Sequence, residues 1–169
     1  MNISQNCIDL VKHYEGCRLR AYPDPKTGGH PWTVGFGATG LNIDHSTCWS
    51  QQKADERLLA DLAVRVSDAE QAIKVPVSQG QFDAFVSLLF NVGHGSPIKD
   101  GIVRLKSGYP STLLRELNGY QYEAARAQFI RWCSPGTSVT NGLKKRRRAE
   151  QALWDGLPAA AAIVVGESE

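Results

Sequence analysis

Between Tyr14 and Gly37 the chain reads YEGCRLRAYPDPKTGGHPWTVGFG, in which two carboxyls and a hydroxyl, Glu15, Asp24 and Thr33, bracket one glycine-rich hairpin. In WTVGFG the alternation puts Trp32, Val34 and Phe36 on one face of a strand and Thr33, Gly35 and Gly37 on the other. The apolar face is expected to pack. The threonine face is expected to stay open, because the flanking glycines leave out side chains that would obstruct a bulky ligand. Asp24 lies between Pro23 and Pro25, where a chain cannot keep pairing inside a sheet, so its carboxyl is expected to project from a turn. Taken alone, it reads as an ordinary turn aspartate.

Glu15 gains meaning from what precedes it. Ile3, Cys7, Leu10, Val11 and Tyr14 recur at three- and four-residue intervals, which predicts an amphipathic helix from about Ser4 to Glu15, ended by Gly16. An acid at a helix C-terminus faces the helix's partial negative charge, which favours the proton-bearing form that proton donation requires. A pair of acids held across a cleft is the minimum equipment for cutting a glycosidic bond.

Further along, Leu58, Leu62, Val66, Ala69 and Ile73 form a stripe that predicts a connecting helix from about Ser50 to Lys74. Ser78 with Gln81 makes a capping box ahead of Phe82, Phe85, Val86 and Leu89, which read as a central core helix. These aromatics are core rather than a cofactor box.

The string E-G-x-R-L-x-A-Y-x-D followed by W-T-V-G-F-G resembles the catalytic stretch of the phage-type lysozymes, the endolysins of glycoside hydrolase family 24. SQGQFDAFVSLLFNVGHG, STLLRELN, AARAQFIRW and GLKKRRRAEQALW resemble later helices of that family in the same order, so the likeness covers roughly Asn6 to Trp154. It implies an α+β, mainly α fold, with a small N-terminal hairpin lobe over about 14–50, a helical lobe over about 50–157 joined by the N-terminal helix, and a cleft between them. Residues 1–157 would form one catalytic domain and 158–169 a loose C-terminal tail.

The resemblance implies hydrolysis of the β-1,4 bond between N-acetylmuramic acid and N-acetylglucosamine in peptidoglycan. Glu15 would be the general acid, Asp24 the second carboxylate, and Thr33 the residue that positions the attacking water. Asn141 would line the sugar cleft. A lytic transglycosylase cuts the same bond with one Glu, and the presence of Asp24 and Thr33 favours hydrolysis over it. The family's turn between the acid and the threonine is shorter than PKTGGHP, and the segment HGSPIKDGIVRLKSGYP departs from its compact connection. That segment reads either as a rim of the cleft or as a tolerated surface loop.

A chain of 169 residues reads as one domain and, at that size, buries about 70% of its unfolded surface. A net charge of +2 draws it only mildly to polyanions. Cys7, Cys17, Cys48 and Cys133 show no CxxC spacing, and Cys7 falls on the apolar face of the first helix as a small buried hydrophobe. The histidines are dispersed and HExxH is missing, so neither a catalytic metal nor a cofactor is expected.

The N-terminus carries no charged region followed by a long apolar run, so the expectation is a protein held in the host cytoplasm until lysis. LPAAAAIVVGESE is too short in its apolar part to span a bilayer, so no membrane anchor is expected. Action on the periplasmic wall then implies, by the resemblance, a holin to open the membrane, and a monomer is expected. The run KKRRR, Lys144 to Arg148, could neutralise phosphates. Its place inside a helical pattern reads instead as a mostly solvated face with one or two structural ion pairs, so no nucleic-acid partner is expected.

Overall fold

The computed structural model describes residues 1–25, 27–133 and 139–168. The order is α1 (Gln5–Glu15), β1 (Arg18–Tyr22), β2 (Thr33–Gly35), α2 (Gln51–Ala72), α3 (Gln79–Val92), α4 (Thr112–Asn118), α5 (Tyr122–Ala127), a 3-10 turn (Phe129–Trp132), α6 (Val139–Trp154) and α7 (Ala159–Glu167). The fold is mainly helical with a two-stranded antiparallel sheet, the class expected from the sequence. The chain divides into two compact units, Val11–Ala63 and Met1–Leu10 with Val64–Glu169.

In the smaller unit the end of α1 leads through Gly16, at φ 65°, into β1. Glycine adopts this left-handed turn at no steric cost. β1 pairs with β2 through Arg18↔Gly35 and Tyr22↔Thr33, with a bulge between the two positions. On its other edge β1 meets a short extended segment, where Ala21 N donates to Thr47 O at 2.9 Å and Trp49 N to Leu19 O at 2.8 Å. Val34, Ala38 and Ile43 form the buried centre of this unit, with Ala21, Trp32 and Trp49 packed around it.

The larger unit is built on α3. Ser78 caps it as the sequence predicts, with its side chain accepting from Gln81 N while the Gln81 side chain accepts from the Ser78 backbone. Such a cap contributes about 1 kcal/mol. Phe82, Phe85, Val86 and Leu89 are buried, each worth about 1.5–3 kcal/mol of transfer free energy. Phe129 and Trp154 meet edge to face with ring centroids 5.5 Å apart.

The basic run of α6 divides in two. Lys144 and Arg148 are exposed, whereas Arg146 and Arg147 are buried and pair with the buried Glu150 at 3.1 Å each. Ser87 Oγ donates to Glu150 Oε1 at 2.8 Å, and Arg147 Nη2 donates to Asn91 Oδ1 at 2.8 Å. The expected structural ion pairs are present, but they lie in the core rather than on a wet face. Burying these charges is tolerable only because partners surround them.

The expected loose tail over 158–169 is corrected by the structure: Ala159–Glu167 forms α7, with Ala159, Ala162 and Gly166 buried. Small residues let a short helix pack closely, and alanine has the highest helix propensity. Contacts that fasten it include Ala159 N to Asn6 Oδ1 at 3.0 Å, Lys145 Nζ to Glu167 Oε2 at 2.8 Å, and Arg148 Nη1 to Ser168 O at 3.3 Å.

The segment after α3 is tightly self-bonded. Ile102 N donates to Gly93 O, Val103 N and Arg104 N to His94 O, and Gly101 N to Arg104 O, while Ile102 is buried. A Cβ on Gly95 would stand 1.8 Å from Arg104 O, and one on Gly101 would stand 2.2 Å from Gly95 N. Two backbones cross here at a separation only glycine permits.

Candidate active site

Glu15, Asp24 and Thr33 all lie in the smaller unit. Glu15 is the last residue of α1 and is half-buried. A Cβ placed on Gly37 would stand 3.7 Å from Glu15 Oε2, so the carboxyl sits beside the turn that follows β2. Thr33 opens β2, half-buried, opposite Tyr22. Asp24 follows Tyr22 by two positions and starts the loop that closes the hairpin.

That loop is folded on itself despite its length. Asp24 N donates to Gly29 O at 3.1 Å, and Asp24 O accepts from Gly28 N at 2.8 Å and Thr27 N at 3.2 Å. Thr27 Oγ1 donates to His30 O at 2.8 Å, and Gly28 takes φ 68°. The backbone of Asp24 is therefore fixed on both sides by a turn of the kind that its proline neighbours imply.

The alternation of WTVGFG holds only in part. β2 stops at Gly35, and Val34 and Ala38 then exchange two backbone hydrogen bonds of 2.9 Å around a tight turn with Gly35 at φ 66° and Gly37 at φ 88°. Val34 and Phe36 are buried as expected. Gly35, however, does not open space for a ligand: a Cβ there would stand 3.2 Å from the Trp49 ring and 3.4 Å from Ala54 Cβ. Its missing side chain admits the indole, and it is Gly37 that clears room next to the Glu15 carboxyl.

Sequence reading missed Lys12 and Asp55. Lys12 Nζ lies 2.7 Å from Asp55 Oδ1 and 5.5 Å from the centroid of the Phe36 ring. Asp55, also held at 3.1 Å by Gln51 Nε2, has its acidity increased, first by the hydrogen bond from Lys12. The spacing of Lys12 and Glu15 on one side of a helix was legible; the partner in α2 was not.

Asn141 lies in the larger unit, exposed in the first turn of α6. That unit has a cavity of about 490 Å³ lined by Asn91, Lys99, Arg131, Trp132 and, from α6, Leu143. Cys7 is buried in the same unit, and its thiol is pushed far up, by burial first and then by the charges of Asp83 and Glu150. It is an inert core group. Among the described residues no group of three or more His, Cys, Asp or Glu is arranged to hold a metal ion.

A helical protein carrying one short hairpin with two acids and a hydroxyl in the same small unit has the architecture of the lysozyme-type muramidases. An endolysin from Escherichia coli O157:H7 phage FAHEc1 superposes with a TM-score of 0.76 at 28% identity, covering 94% of this chain and 96% of that one. A P22 lysozyme mutant gives a TM-score of 0.70 at 35% identity, covering 91% and 98%. The chain belongs to the phage lysozyme family, whose profile matches residues 12–150.

Among relatives, the endolysin of Salmonella phage P22 is 37% identical over 160 residues, covering 91% of this chain and 98% of that protein. The endolysin of Bacillus phage B103 is 39% identical over 154 residues, covering 91% of this chain and 54% of that protein. The chain spans about half the length of the Bacillus phage relatives it matches.

Proposed function

We propose that this chain is a muramidase that hydrolyses the β-1,4 bond between N-acetylmuramic acid and N-acetylglucosamine in bacterial peptidoglycan. The observation that carries the reading is the position of Glu15 at the end of α1 with its carboxyl next to Gly37, in a unit whose hairpin bears Asp24 and Thr33. Glu15 gives its proton to the leaving oxygen as the C1–O4 bond breaks. A water oriented by Thr33 and Asp24 bonds to C1 and loses a proton, so the products are a reducing muramic acid end and a free hydroxyl. Two carboxyls with separate tasks are the usual equipment for this reaction.

Asn141 is proposed to contact the glycan. No helix among the described residues is long and apolar enough to cross a membrane. From its likeness to phage endolysins, we propose that access to the wall depends on a separate holin-like protein.

The test is the chemistry of the ends released from purified peptidoglycan. Hydrolysis leaves ends that borohydride reduces to muramitol. Attack by the sugar's own C6 hydroxyl leaves 1,6-anhydro ends, lighter by one water and inert to borohydride. A digest dominated by anhydro ends would overturn the hydrolase reading and make the chain a lytic transglycosylase.

A further inference from the structure

Lys12 contacts Asp55 of α2 and the ring of Phe36, the residue before Gly37. It sits one helical turn before Glu15 in α1, so the two side chains leave the same side of the helix. Its ammonium is 2.7 Å from Asp55 Oδ1, in the first turns of α2, and 5.5 Å from the centroid of the Phe36 ring. Phe36 belongs to the tight turn Gly35–Ala38, and Gly37 of that turn borders Glu15 Oε2. On its far side the same turn rests at Gly35 against Trp49 and against Ala54, the residue preceding Asp55. One cation thus joins the end of α1, the start of α2 and the turn beside the acid.

We propose that Lys12 is a positioning residue for Glu15, acting through Asp55 and the Phe36–Gly37 turn; this rests on the reading of Glu15 as the general acid. Both members of the ion pair are 34% exposed. Ion pairs that wet contribute little to stability, so the contact is better placed to fix geometry than to hold the fold. Geometry matters more here: a misplacement of about 1 Å in a catalytic group can cost roughly 10²-fold in rate.

The test uses the full chain and a purified, soluble peptidoglycan oligomer. Lys12→Met keeps most of the stem and removes the ammonium. It is expected to lower kcat about tenfold, in line with a sub-ångström shift, with KM within about twofold and Tm within a few degrees. Lys12→Arg should recover most of the loss. Asp55→Asn should match Lys12→Met, and the double variant should be no slower than either single one, because both break the same tie.

Wild-type kcat in Lys12→Met, no recovery in Lys12→Arg, or losses that multiply in the double variant would each overturn the proposal. Glu15→Gln separates the two ideas. If Glu15→Gln is inactive while Lys12→Met is normal, only the positioning role fails. If Glu15→Gln turns over normally, the general-acid reading and this proposal fall together.

Discussion

Thr33 stands opposite Tyr22 across the hairpin, two positions before Asp24 in the chain. The hydroxyl and the second carboxyl are therefore held by neighbouring positions of one backbone frame, and the self-bonded loop from Asp24 to His30 keeps that frame closed. Asp24→Asn is expected to reduce wall hydrolysis about 10²- to 10⁴-fold, the usual cost of losing a positioned acid or base. Thr33→Ser keeps the hydroxyl and should stay within about tenfold of wild type, whereas Thr33→Ala should not. Initial rates on purified peptidoglycan decide this, and full turnover in Asp24→Asn would remove it from the mechanism.

Glu15→Gln should abolish lysis while leaving the far-ultraviolet circular dichroism unchanged. The amide fills the same space beside Gly37 but cannot deliver a proton to the leaving oxygen. Turbidity loss of permeabilised Gram-negative cells, read alongside the spectrum, checks both halves. Substantial lysis by the folded variant would take the acid role away from Glu15.

What was legible in the chain followed how local each signal is. The helix ending at Glu15, the Ser78 cap and the α3 core residues depend on residues within a turn or two of one another, and all appear as read. The role of Gly35 was misread because its space is filled by Trp49, far along the chain. Arg147 shows the same limit: nothing within KKRRR tells which side chains meet Glu150, Ser87 and Asn91 and so leave water. The tail was misread for a different reason. An alanine run has helix propensity, but whether it docks depends on small faces such as Ala162 and Gly166 finding a surface.

The buried charges of α6 give a stability prediction. Glu150→Ala leaves two buried guanidinium groups without their carboxylate, and breaking a buried pair this way costs about 3–5 kcal/mol. Lys144→Ala, on the exposed side of the same helix, should stay within about 0.5 kcal/mol of wild type. Denaturant unfolding of both variants provides the comparison, and equal midpoints would show that the burial of Glu150 carries no energetic weight.

Acid should weaken the smaller unit through Asp44. It is more acidic than usual, first because the Ser46 hydroxyl donates to it at 2.6 Å. A lowered folded-state pKa gives stability that is present above the ordinary aspartate value of about 3.9 and is lost as pH falls through the folded value. Melting temperature should therefore drop on acidification below about pH 4. Asp44→Asn should flatten that slope, and a variant that tracks the wild-type curve would show that Asp44 is not linked to folding.

The crossing of backbones after α3 leaves no room for a side chain at Gly101. A Cβ there would meet Gly95 N at 2.2 Å and Gly95 Cα at 2.4 Å, and backbone cannot swing aside as a flexible side chain would. Gly101→Ala must push the backbone of His94 and Gly95 away, which strains the bonds of Ile102 N to Gly93 O and of Val103 N to His94 O. Such overpacking costs about 1–3 kcal/mol, whereas Gly108→Ala, with open space around its Cβ, costs only the strain of φ 88°. Amide exchange gives the local readout: protection at Ile102 and Val103 should fall in Gly101→Ala and persist in Gly108→Ala. Unchanged protection in Gly101→Ala would mean the segment can separate its two strands of backbone without leaving the core.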